Sequence, residues 1–395
     1  MDPNRGMPCA SPAGDASVHA PPDAVRVSGV CHAIYAFDLG QGVDLVRAEA
    51  FLAATTGARS ERLKLESRRP APSWFGYEPA PLRVPLAIEP RTIAPGFTTG
   101  AHAEAVLYDF AGVSISVPIV IDHALTDLPA LTAALPEDRG LESAARAAAA
   151  SLLERIAPAI DTPVLADMVE DYAVLALTQW SAASPPITPG AIAAAHAPVL
   201  ARILQGERGT LSREQVDRTL AGATSYAEND LALLGWNAAV LLDAQANEVV
   251  PLLAHANVEL LEMRVLDARL DLLLERAHDM LARVGARRLW PVGRGARELR
   301  EFAEVQTDAA LLFESVENAI RIVGDPYLAR VYETAAARMH IPRWDAGVLR
   351  KLATAESIYQ KMEDAASSRR AEMLEVIIIL LIALEIVMAL GERVL

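Results

Sequence analysis

The chain has 395 residues, 52% hydrophobic and 22% charged, a globular balance long enough for two or three domains that excludes a disordered or fibrous chain. A formal net charge of −15 argues against a general nucleic-acid binder, whose affinity rests on basic contacts to phosphate. The two cysteines, Cys9 and Cys31, have no metal-like spacing, so no disulfide framework is expected and a reducing compartment fits.

Residues 1–24, rich in Pro, Ala, Gly and Ser, predict a disordered leader without the apolar core of a secretory signal. Val25–Leu39 alternates β-branched and aromatic residues and predicts a strand. Gly40-Gln41-Gly42 predicts a turn into a helix over Val43–Ala54. It lacks the third glycine and the Lys-Ser/Thr of a phosphate loop. Pro70–Pro95 predicts an irregular connection with short strands. His102–Phe110 and Val113–Asp122 flank Ala111-Gly112, a hairpin signal.

Glu142–Ile160 is Ala-rich and helical, whereas Met168–Trp180 fits a strand or a helix. Thr188-Pro189 and the capping box from Ser212 to Gln215 predict helix starts. Leu231–Asp243 predicts a strand closing an α+β sandwich domain over residues 25–244.

From Ala246 the apolar period turns helical, predicting a helical module over 245–345. One helix runs to Val284, a second covers Ala296–Val323, and Asp325 ahead of Pro326 starts a third to Met339. Pro342-Arg343-Trp344-Asp345 predicts a break. Ala346–Leu390 then predicts one helix of about 68 Å, with a stalk over 346–375. Leu349, Leu352, Ala355, Ile358, Tyr359, Met362 and Ala366 form its stripe, as in a coiled-coil-like bundle.

The hydrophobic helix over 376–395 carries Val376, Ile377, Ile378, Ile379, Leu380, Leu381, Ile382, Leu384, Ile386, Val387 and Leu390. Val376–Leu390 covers roughly 22 Å against roughly 30 Å of hydrocarbon. The first expectation is a transmembrane tail anchor into membrane lipid, with Arg369 and Arg370 keeping the body cytoplasmic. The alternatives are a soluble oligomerisation helix and a buried monomer helix. Glu375, Glu385 and Glu392 fall within about 100° of one another, an acidic edge that predicts self-association of this helix with the edge turned inward.

None of the eight histidines pairs at helical metal spacing, and no HExxH or Gly-x-Ser-x-Gly motif occurs, so no metal, cofactor or hydrolase site is expected. Glu259, Glu262 and Asp267 with Arg264 and Arg269 read as intrahelical ion pairs on a solvated face rather than an acid–base site. Arg283, Arg287, Arg288, Arg294, Arg297 and Arg300, with Trp290 among them, form either a solvated turn or a contact to anionic lipid or RNA.

The blocks Ala256–Asp267 (ANVELLEMRVLD), Glu317–Tyr332 (ENAIRIVGDPYLARVY), Trp344, and Leu374-Glu375 with Glu385 ten residues on carry a resemblance. They resemble the Required for Meiotic nuclear Division (YagE-like) family, a domain of unknown function. The residues concerned include Asn257, Glu262, Asp267, Asn318, Gly324, Asp325, Tyr327 and Trp344; Val376 stands where the family often has an aromatic. The resemblance implies a membrane-associated homo-oligomer with a C-terminal hydrophobic helix and no established enzymatic activity. The resulting expectation is a non-enzymatic, membrane-anchored homo-oligomeric scaffold or tether without a cofactor. The alternatives are a soluble cytoplasmic binding module that contacts RNA or the ribosome through the arginine turn, and an enzyme with its site within 25–244.

Overall fold

The computed structural model describes residues 25–56, 60–64, 76–77, 79–181, 187–286 and 325–391, with scattered residues between 303 and 321. The leader over 1–24 and most of the helix expected at Ala296–Val323 lie outside the described residues.

The strands of the main sheet are β1 (Arg26–Asp38), β2 (Glu61–Arg62), β3 (Leu82–Ala87), β4 (His102–Leu107), β5 (Gly112–Ala124), β6 (Glu170–Ser181), β7 (Ala223–Thr224), β8 (Leu231–Leu234) and β9 (Ala238–Leu242). They form a nine-stranded mixed sheet in the order β7-β8-β9-β6-β1-β5-β4-β3-β2, with β6 and β9 parallel and the other pairs antiparallel. The fold is mixed α+β, as the sequence predicts.

β1 lies at the centre, paired with β5 on one side and β6 on the other. Its side chains alternate between two buried layers, which is why the segment is apolar on both faces. Tyr35 and Phe37 point into the layer covered by α1 (Leu45–Thr56), α2 (Leu128–Ala134), α3 (Arg139–Ile156) and, past α4 (Pro189–Ala195), α5 (Ala197–Gln205). Ile34 and Ala36 point into the other layer. The β1–β6 register shifts between Ser28 and Gly29, where a Cβ on Gly29 would stand 2.0 Å from the Ala176 carbonyl oxygen, so only glycine fits.

The Tyr108–Gly112 turn of the β4–β5 hairpin is closed by Tyr108 N–H donating to the Gly112 carbonyl at 2.9 Å, with Ala111 at φ 71°. Met168–Trp180 resolves to strand β6, because Tyr172 and Val174 face one layer while Ala173 and Leu175 face the other. Leu231–Asp243 is two strands and not one. Gly235 N–H donates to the Ala238 carbonyl at 2.9 Å, and the Gly235-Trp236-Asn237 turn folds β8 back on β9. Ser212 caps α6 (Arg213–Leu220) by accepting from Gln215 N–H.

The second layer is α7 (Val249–Ala286), α8 (Pro326–Arg338) and α9 (Ile341–Gly391). On α7, Met263, Leu266, Leu270, Leu273 and Ala277 are buried at three-and-four spacing. On α9, Val348, Ala355 and Met362 are buried at seven-residue spacing, and the two helices pack along these seams. The expected break at 342–345 falls earlier. His340 takes φ 58°, and Pro342 sits in the first turn of α9, where no intrahelical N–H is lost.

Asp325 caps α8, accepting from Tyr327 N–H at 2.9 Å and Leu328 N–H at 3.1 Å while 4% exposed. Asp325→Ala is therefore expected to lower stability by about 1–2 kcal/mol, read as a shift in the urea midpoint at constant slope.

A further correction concerns the C-terminal helix. Among the described residues no helix is long and apolar enough to cross a membrane, so the expected transmembrane tail anchor is not supported. The run over 376–390 is too short and carries Glu385 within it.

Candidate functional site

Polar groups converge where α7 crosses the sheet. From Pro251 to Arg264 the helix is nearly all buried, so any charged side chain on it must find a partner or lose its charge. His255, Glu259, Glu262 and Arg269 lie within about 80° of one another around the helix, on the side that holds the sheet and α8.

Arg269 donates to Asp38 of β1 at 2.5 Å, and the other Asp38 oxygen accepts from Gly40 N–H at 2.8 Å. Arg264 pairs with Glu170 of β6, and Asn257 donates to the Glu170 carbonyl oxygen at 3.3 Å. Glu259 accepts from the Tyr332 hydroxyl of α8. These side chains are not intrahelical pairs on a solvated face, as the sequence predicts. They tie α7 to β1, β6 and α8.

Glu262 is fully buried against β5: a Cβ on Gly112 would stand 3.0 Å from its carboxyl and 2.5 Å from Val258. Neither Glu262 oxygen has a hydrogen-bond partner. Burial, reinforced by the Asp38 charge, raises its pKa well above the ordinary carboxylate value. Burial also raises the Asp38 pKa, opposed by the Arg269 charge and the Gly40 N–H.

One turn back, His255 is enclosed by aromatic rings, with Tyr108 at 5.2 Å and Tyr77 at 5.5 Å between centroids. Neither of its ring nitrogens has a hydrogen-bond partner, and burial lowers its pKa to about 3. It is a neutral imidazole in an apolar box.

The other expected site residues are dispersed. Tyr327 is buried under α8 and meets the Tyr226 ring at 5.8 Å. Asp267 and Trp344 line an open groove beside α9. Glu375 and Glu385 are exposed on α9 with Val376, Ile377, Ile378, Ile379, Leu380, Leu381, Ile382, Leu384 and Ile386. Asn318, Gly324, Arg287, Arg288, Arg294, Arg297 and Arg300 lie outside the described residues, as do the side chains of Arg283, Val387 and Leu390. Sequence reasoning missed Asp38 and His255 as members of the buried layer. The available signal for His255 was that residues 249–266 carry apolar side chains on every side of the helix, with only His255, Asn257, Glu259, Glu262 and Arg264 polar, too oily for a helix with one solvated face.

Within 25–244, a groove of about 450 Å³ is lined by Phe97, His123, Asp127 and Arg202, with Arg208 at its edge paired to Glu137 at 3.0 Å. Among the described residues no three His, Cys, Asp or Glu side chains are placed to hold a metal ion.

The family model described as the N-terminal domain of uncharacterized protein MJ0711 matches residues 28–248. Uncharacterized protein MJ0711 of Methanocaldococcus jannaschii is 23% identical over 230 residues, covering 57% of this chain and 67% of its own length. No solved structure matches the chain. The resemblance to the Required for Meiotic nuclear Division family is thereby overturned. The blocks that carried it begin at Ala256, beyond the matched residues, and their mix of apolar and charged positions is common to packed helices. The chain belongs to the MJ0711 N-terminal domain family.

Proposed function

We propose that the protein is a scaffold that assembles with further copies of itself through the outer part of α9. One observation carries this reading. Ten large apolar side chains between Leu374 and Ile386 are each 49–63% exposed, while the same helix is packed at Val348, Ala355 and Met362. Covering them would contribute on the order of 10 kcal/mol per copy, comparable with the cost of bringing two chains together. Exposed apolar residues elsewhere, such as Val46, Val120 and Leu272, occur singly along the chain. The surface that matches this helix best is the same helix of another copy. Glu375 and Glu385 then lie at the rim of the contact, because an unpaired carboxylate buried in it would cost several kcal/mol. A scaffold also accords with the body of the protein, where the converging groups Asp38, Glu262 and His255 are sealed under α7 at 0% exposure.

Sedimentation velocity in detergent-free buffer tests the proposal on the full chain, on a chain stopped after Arg370, and on Leu380→Glu. The full chain is expected to be oligomeric and both variants monomeric, with unchanged thermal midpoints. A monomeric full chain, or one that associates only with added lipid vesicles, would overturn it.

A further inference from the structure

The groove beside α9 is formed by the tip of the β8–β9 turn, one face of α7 and the first turns of α9, and encloses roughly 630 Å³, within the size range of small-ligand sites. Arg343 and Arg350 make no ion pair and no side-chain hydrogen bond among the described residues, as is also true of Arg47, Arg213, Arg276 and Arg330, but only these two stand together in a groove. In a chain with a surplus of fifteen negative charges, two free guanidinium groups on one wall are a local excess of positive charge. The third cation, Lys351, is already neutralised by Asp267 at 2.7 Å and Asp271 at 2.6 Å.

Arg343 and Arg350 are seven residues apart, which puts them on the same side of the helix and roughly 10 Å apart along its axis. Gly347 lies between them. Glycine inside a helix costs about 1 kcal/mol relative to alanine. Packing against α7 does not require it, since a Cβ there would meet only Asp267 Oδ1, at an ordinary 3.8 Å. Its effect is to keep clear the space between the two guanidinium groups.

The same groove is also lined by aromatic rings. Trp236, at the tip of the β8–β9 turn, is 47% exposed and leans on the His340 ring at 5.3 Å, with Trp344 alongside in the lining. A flat ring and a pair of free forks set a helical turn or two apart suit a ligand with a planar base at one end and more than one phosphate at the other.

We propose that this groove binds a nucleoside di- or triphosphate, its base stacked on Trp236 and its phosphates held by Arg343 and Arg350. The site is distinct from the exposed apolar end of α9, so the two proposals stand or fall separately.

Isothermal titration of the full chain with ATP and GTP in the presence of magnesium tests it, with pyrophosphate and adenosine as the fragments. Saturable binding of a nucleoside triphosphate is expected. Arg343→Gln and Arg350→Gln should each weaken it about ten-fold or more, and Trp236→Ala should weaken the nucleotide but not pyrophosphate. All three side chains are exposed or at the rim, and an unchanged melting curve would show that the variants fold. The proposal is overturned if no nucleotide binds at millimolar concentration, or if the three variants bind as the parent does. Pyrophosphate binding as tightly as the nucleotide would also overturn it, as a simple anion site.

Discussion

His255→Phe is expected to stabilise the protein at pH 5 and to leave it unchanged at pH 8. His255 titrates near 3 in the folded chain, because burial among Tyr77, Tyr108 and Phe110 disfavours the imidazolium; its ordinary value is 6.5. Above pH 6.5 the ring is neutral in both states and contributes no pH dependence. Below it the unfolded chain takes up a proton that the folded chain refuses. Stability is therefore lost as pH falls from 6.5 toward 3, at about 1.4 kcal/mol per pH unit, or roughly 3 kcal/mol by pH 4. Phenylalanine fills the same box, forms the same ring contacts and has no proton to bind. Urea midpoints from pH 4 to pH 8 would show the acid limb flattened in the variant. An unchanged acid limb would mean that His255 is accessible to protons in the folded state.

Arg269→Met is expected to cost about 3 kcal/mol or more at pH 7 and much less at pH 4. Arg269 is the cation that meets Asp38, and its charge also opposes the raised pKa of Glu262. Without it Asp38 keeps only the Gly40 N–H, and its folded pKa rises further. A carboxyl with a raised folded pKa leaves stability intact below its unfolded value, 3.8 for Asp38, and erodes it as pH climbs toward the folded value. The same sign holds for Glu262, whose ordinary value is 4.5. Glu262→Gln should thus raise stability at pH 7 in the parent and recover part of the loss in Arg269→Met. Chemical denaturation of the two single variants and the double variant at both pH values measures this coupling. An Arg269→Met loss that is the same at pH 4 and pH 7 would show that Asp38 and Glu262 do not titrate with folding.

Local chemistry was legible where the deciding atoms lie within a few residues. Ala111-Gly112 announced the β4–β5 turn, Ser212 and Asp325 announced helix starts that their side chains do cap, and the three-and-four spacing from Val249 announced a helix that runs to Ala286. Two segments were illegible for the same physical reason. Met168–Trp180 is apolar on both sides because β1 and β9 flank it and both faces of the sheet are covered. Buried strands of that kind lose the alternation that would distinguish them from helices. In Leu231–Asp243, continuous hydrophobicity concealed the Gly235 turn.

The sequence by itself determined the helical period of the last third of the chain, its caps, and the apolar run toward its end. It also determined that residues 28–248 carry a family pattern, since such patterns reside in the order of the residues. Only the tertiary structure decided what the charged positions of α7 do. Arg269 meets a carboxylate 231 residues away, and the Glu262 pKa is pushed up because β5 closes over it at Gly112. Such burial is set by which elements meet, and no spacing along one helix encodes it. The end of α9 is the converse case: its apolar residues were plain in the sequence, but only the packed body shows that no described surface of this chain covers them.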